Sequence, residues 1–133
     1  MGRVEEIEHT ADRAIRVEAE SLDDLLATAV IGMFAVIGRL AANGRRERRH
    51  ELEVRGDDDT RLRDLLRAAL GLFDRDASFV TAVEIDGARA TLRAVPFDPS
   101  RDEFHTEIKG VTWHGLHVRE RAGRWTAEIV FDV

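Results

Sequence analysis

Three short stretches of the chain hold side chains that can do chemistry together. The first is Glu8-His9-Thr10-Ala11-Asp12, a polar turn between two strands. A short acid in a tight polar turn can hold a hard cation; it can equally bond its own backbone as an Asx turn. The second is Phe131-Asp132-Val133, where the last strand brings the Asp132 side chain and the Val133 carboxylate within one residue. A frayed terminus is the plainer alternative. Brought together with Asp12, these groups would form an all-oxygen cluster, suited to calcium or magnesium rather than zinc. The third is Glu107-Ile108-Lys109-Gly110-Val111-Thr112-Trp113-His114, in which Lys109 shares a strand face with Glu107 and Val111. Its plain reading is a cross-strand ion pair worth under ~1 kcal/mol.

Other chemistries are excluded. No P-loop, Gly-x-Ser-x-Gly or His-Glu-x-x-His pattern is present. The histidines are His9, His50, His105, His114 and His117. His114 and His117 have odd spacing and face opposite sides of a strand, so they cannot share a zinc ion. With no cysteine, disulfides, thiolate metal sites and thiol nucleophiles are ruled out. Lys+Arg number 20 against 26 Asp+Glu, a net charge of -6. Phosphate affinity comes from clustered cations, so any RNA contact is expected to be local or through a partner. Gly44-Arg45-Arg46-Glu47-Arg48-Arg49 is the one basic run and reads as a solvated loop entering a strand, with a phosphate or partner contact as the alternative. No apolar run approaches the ~20 residues that span a bilayer. Met1 to Glu6 has acids where a signal peptide is apolar, and Glu6 stands where a myristoylation signal has Ser or Thr. A cytoplasmic protein without membrane contact is expected.

The elements that must position these residues follow from periodicity. The 133 residues suit one domain, 1–133, and a hydrophobic share of 44% suits a globular fold. Leu22, Leu25, Leu26, Ala29, Val30, Met33, Phe34 and Ile37 form one helical stripe. Ser21 is its N-cap, and Gly38 stops it in a left-handed C′ conformation. Leu62, Leu65, Leu66, Ala69, Leu70 and Phe73 repeat the stripe over about 61–73, with Thr60 as cap. Strands alternate around Ile15-Val17 and Leu52-Val54. Phe79–Ile85 and Ala88–Val95 flank an Asp86-Gly87 hairpin turn. Two long strands, about Phe104–Arg119 and Trp125–Val133, flank Ala122-Gly123. The fold class is α+β, two helices packed on a mixed, mostly antiparallel sheet. A strand-helix-strand pattern occurs twice, near 13–55 and near 50–95.

These blocks, in this order, resemble the archease family over essentially the whole chain. The resemblance is carried by Glu8-His9-Thr10-Ala11-Asp12 followed by Ile15, the helix capped by Ser21, Leu72-Phe73-Asp74, Phe97-Asp98-Pro99, Thr106 to His114, and Phe131-Asp132-Val133. It implies a fold of duplicated strand-helix-strand-strand units. It implies a metal-binding accessory protein, with no catalytic site of its own, that stimulates an RtcB-type RNA ligase. That ligase joins 3′-phosphate or 2′,3′-cyclic-phosphate ends to 5′-hydroxyl ends in tRNA splicing and RNA repair. The accessory protein promotes its guanylylation by GTP and its multiple turnover. The implied metal ligands are Asp12, Asp132 and Val133, for a divalent ion: calcium, with magnesium or manganese as alternatives. Lys109 and His9 are the other implied functional residues, and RNA is met only through the ligase or weakly. The chain departs from the family pattern at Arg13-Ala14, Leu65-Leu66-Arg67-Ala68, Gly110 and Trp113. Arg13 would weaken divalent binding if it pointed at Asp12. Two other readings stand beside this one: a chaperone-like binding module whose acids are structural, and an independent metal-dependent enzyme. The second has no recognisable nucleophile.

Overall fold

Ser21 opens the first helix as its periodicity requires: its side chain accepts from the Asp24 N–H at 3.0 Å, and α1 runs Leu22–Ile37. The structure is a computed structural model, described here for residues 2–8, 12–41 and 44–133. More than one stripe of α1 is buried, because Gly32 and Val36 are also covered. The helix lies between sheets, and a Cβ at Gly32 would stand 2.9 Å from both Ile15 and Val4. Gly38 stops α1, but in an extended conformation (φ 176) instead of a left-handed one.

The second helix, α2, is longer than its apolar stripe and spans Asp58–Asp76. Asp57, not Thr60, is the N-cap; its carboxylate accepts from the Thr60 N–H at 2.8 Å. Asp58 and Asp59 then sit at the positive end of the helix dipole. Ala77, left-handed at φ 53, closes the helix by donating to Leu72 and Phe73 carbonyls.

The strands are β1 (Arg3–Glu8), β2 (Arg13–Ala19), β3 (Gly38–Arg39), β4 (Arg48–Glu53), β5 (Ser78–Asp86), β6 (Arg89–Pro96), β7 (Glu103–Phe104), β8 (Gly110–Thr112), β9 (Arg119–Arg121) and β10 (Arg124–Asp132). Every pairing among them is antiparallel. They divide into three sheets: β1-β2-β10-β8 with β9 also on β10, β4-β6-β5, and the pair β3-β7. Asp86 pairs with Arg89, so the β5–β6 turn is Gly87-Ala88, one residue later than expected. Gly87 has the positive φ (60) that a tight hairpin needs there. Ala122 (φ 54) and Gly123 (φ 78) form the β9–β10 turn as expected.

The long strand expected over Phe104–Arg119 is instead three short pieces, β7, β8 and β9. Two local events break it. The His105 and Thr106 N–H groups both turn back to the Ile37 carbonyl, and Leu116 N–H closes a turn onto Trp113, with Gly115 at φ 80.

The two strand-helix-strand-strand units are nested. The inner one is β4-α2-β5-β6, with sheet order first-last-middle. The outer one is β2-α1-β8-β10, with the same order, β2-β10-β8. The outer unit therefore closes with strands from the end of the chain, not with the strand near residue 55. One apolar cluster joins both, from Ile15 and Phe131 through Phe34 to Leu66 and Leu92.

Candidate functional site

The nested topology lays the start of β2 beside the end of β10, on neighbouring interior strands of the outer sheet. The β2–β10 ladder runs from Ala19↔Trp125 to Arg13↔Phe131. Continued by one residue, its register sets Asp12 across from Asp132. Directly opposed residues in a regular antiparallel pair keep their Cβ atoms about 4.5–5.5 Å apart, a separation over which two carboxylates can share one cation. Asp12 is half-buried, Asp132 exposed and Val133 half-buried against the core. On the other side of β10, Asp132 pairs with Gly110, and its carbonyl accepts from the Lys109 N–H at 2.8 Å. Arg13 is held elsewhere: its Nη1 donates to Glu6 Oε1 at 3.0 Å. His9 lies outside the described residues, as do Thr10 and Ala11. Among the described residues, no three His, Cys, Asp or Glu side chains come together as a metal site. The register sets two aspartates opposite each other. By chemistry this all-oxygen set suits a hard divalent ion.

Lys109 belongs to the irregular stretch between β7 and β8, and its side chain lines a cleft against α2 instead of sharing a strand face with Glu107. The other walls include Arg67, Gly71, Asp74, Arg75 and Trp113. Although Asp74 is exposed at its rim, partial desolvation against the cleft, with the neighbouring Glu107 charge adding to it and Arg75 opposing, raises its carboxyl above the usual carboxylate value. Raised acids in clefts are common at functional sites. Beyond the cleft, the chain that follows the Trp113 turn is clasped to the first turn of α2. Asp59 accepts from the Val118 N–H at 2.7 Å and lies 3.0 Å from His117 Nδ1. These two contacts, His117 first, hold the Asp59 carboxyl below its ordinary range. So His117 serves the packing of a turn, while His114 sits exposed in that turn and not on a strand.

The sequence reading did not single out Arg67, Asp74, Arg75 or Asp59 for chemistry. The signal available was spacing: positions 67, 71, 74 and 75 fall on one helix face, and 109, 111 and 113 alternate onto one side. That both face each other is a tertiary fact. Arg45 was also misread as a solvated member of the basic run. It forms an ion pair with Asp102, whose side chain is fully covered.

The architecture has counterparts. Protein 1598 of Methanobacterium thermoautotrophicum, known from a solution structure, superposes with a TM-score of 0.78 at 24% identity, over 98% of each chain. The Thermotoga maritima protein TM1083, described as an archease and possible chaperone, gives 0.76 at 20% identity, over 96% of this chain and 94% of that one. In sequence, protein archease of Methanopyrus kandleri is 38% identical over 138 residues, covering 97% of this chain and 98% of its own. Protein archease of Pyrococcus abyssi is 31% identical over 143 residues, covering all of both. The sequence profile of the archease protein family (MTH1598/TM1083) matches residues 5–133, a span that takes in β2, α2 and the closing strand β10 alike. With that span matched and full-length relatives at this identity, the chain belongs to the archease family.

Proposed function

We propose that this chain is an accessory protein that stimulates an RtcB-type RNA ligase in tRNA splicing or RNA repair, promoting guanylylation and repeated turnover. Asp12, Asp132 and the Val133 carboxylate would hold a divalent ion, calcium in the first place and magnesium or manganese as alternatives. The observation that carries the reading is the β2–β10 register, which, continued by one residue, sets Asp12 opposite Asp132 at the end of two neighbouring strands. Anions gathered there repel one another, and a cation relieves that repulsion. When bound, such an ion neutralises phosphate charge during nucleotidyl transfer. Lys109, tethered to Asp132 through its backbone, stands ready to meet a phosphate or to balance the acids. Glu6 holds the Arg13 guanidinium on the β1 side, at 3.0 Å from its Oε1.

The test is a reconstituted ligase reaction with GTP and a divalent ion. Asp12→Ala and Asp132→Ala are each expected to lower stimulation at least ~10-fold, as losses around metal sites commonly do, while circular dichroism stays that of the parent. Parental stimulation by both variants would sink the metal reading. The description of the Thermotoga maritima protein as a possible chaperone favours a second reading, a protein-binding module without a working metal. In that case stimulation survives chelation and both aspartate substitutions, but is lost on Phe104→Asp, because Phe104 is the most exposed large apolar side chain described, at 52%.

A further inference from the structure

The cleft between α2 and β8 has a composition at odds with the molecule. The chain as a whole carries a net charge of -6, yet Arg67, Arg75 and Lys109 line one recess with Asp74 as the single lining acid. Among the described residues, none of these three cations has a side-chain hydrogen bond or ion pair to a neighbour, whereas most arginines of this chain do. All three are exposed, and Asp74 offsets part of the Arg75 charge; like charges held close still cost free energy, and an incoming anion lowers that cost. The recess has a volume of about 440 Å³, within the roughly 300–1,000 Å³ of small-molecule sites.

The recess is also shaped for more than a bare anion. A Cβ at Gly71 would stand 2.7 Å from Arg75 Nη1, so this guanidinium lies over bare helix backbone. Trp113 is half-buried and packs partly against the core, leaving an indole at the edge of the same recess. Cations beside an exposed aromatic are the pairing that holds nucleotides, phosphate to charge and base to ring. We propose that the cleft between α2 and β8 binds a nucleotide, with Arg67, Arg75 and Lys109 at its phosphate and Trp113 against its base. Asp74 then faces the sugar or base donors as an acceptor. The Asp59 clasp on His117 and Val118 keeps the Trp113 turn seated against α2 and so holds the recess open. This binding does not rest on the ligase reading.

Calorimetry and tryptophan fluorescence on the full chain decide it. A Trp125→Phe background makes Trp113 the only tryptophan, since the chain has two. The probes are adenosine monophosphate, adenosine, inorganic phosphate and the ribotrinucleotide of adenylate. A saturable quench is expected with the monophosphate, the trinucleotide or both. Their relative affinity tells a free nucleotide from one carried in RNA. Adenosine and phosphate are expected to bind at least ~10-fold more weakly, because each keeps one half of the recognition. Arg67→Ala and Arg75→Ala are each expected to weaken binding ~10-fold and to flatten its salt dependence, and Trp113→Leu to weaken it similarly by calorimetry. Asp12→Ala is expected to bind as the parent does, so a failed ligase assay and a failed nucleotide site remain separable. No saturation at millimolar monophosphate or trinucleotide, or equal affinity in the Arg67→Ala/Arg75→Ala double variant with its circular dichroism intact, overturns the proposal.

Discussion

Asp102 is the one buried carboxylate among the described residues. Its oxygens accept from the Ala41 and Asp98 N–H groups, each at 2.8 Å, and from both terminal nitrogens of Arg45. The Arg45 guanidinium is the chief reason its carboxyl lies far below the ordinary range, with the two backbone donors adding to the effect. A depressed acid binds its proton more readily unfolded than folded, so its contribution is complete above the unfolded value near 4 and fades as pH falls below it. Asp102→Asn keeps the shape, but it puts an NH2 among donors and strips Arg45 of its counter-charge. We expect a melting temperature several degrees lower at pH 7. We also expect a smaller further loss than the parent shows between about pH 4 and pH 2, measured by thermal melts across that range. A variant as stable as the parent at pH 7 would mean the pair is ornamental. Sequence alone showed Arg45 only as part of a basic run, because its partner stands at 102 and is reached through the fold. The same limit applied to the candidate site. Asp12, Asp132 and Lys109 were legible as residue types in spaced blocks, whereas Arg67 and Arg75 look like any exposed helix cations until β8 is known to lie opposite.

At the level of elements, periodicity worked where burial is one-sided or continuous and failed where chain segments meet. Helix α1 ends at the residue expected, and α2 overran its apolar stripe because Asp57 caps it before the stripe begins and Arg75 and Asp76 continue it in solvent. The strand expected over Phe104–Arg119 broke because its backbone N–H groups are claimed by Ile37, Asp132 and Trp113 carbonyls, partners no alternation pattern reveals. Gly38 shows why the chain needs glycine at the end of α1. Its φ of 176 is open to any residue, but a Cβ there would run into the Glu103 backbone carbonyl of β7. Gly38→Ala is therefore expected to force β3 and β7 apart and to destabilise by about 1–3 kcal/mol, the range for overpacking. Chemical denaturation reads this directly. Phe104 stands opposite Gly38 and packs edge-on to Phe97 at 6.3 Å, so the 97–104 loop should gain hydrogen exchange in the variant. Unchanged stability would show that β7 can simply slide.

At the scale of the whole molecule, nesting makes the last strand structural for everything before it. The apparent tandem repeat in the sequence concealed this, because local patterns show strand-helix-strand twice but not which strand closes which unit. β10 lies between β2 and β8 and also carries β9. It gives Ala127, Ile129 and Phe131 to the core, each at 3% exposure or less. Burying the two large ones alone contributes roughly 3–6 kcal/mol, against a total stability of about 5–15 kcal/mol for an ordinary domain. The backbone ladders to β2 and β8 add to that. Nor is the inner unit insulated, since Phe34 of α1 packs on Phe79 of β5 at 5.0 Å and on Phe73 of α2 at 6.0 Å. Loss of the outer sheet uncovers the α1 face around Gly32, which lies against Ile15 and Val4, while the Phe34 face of the same helix covers the inner sheet. A chain ending at Gly123 is thus expected to lose its cooperative thermal transition entirely, including the part contributed by β4-α2-β5-β6. Residual far-ultraviolet helix signal that melts without a sigmoid would agree with this. A sharp transition of reduced enthalpy would instead mean that the inner unit folds alone, and that the two units are joined only in series.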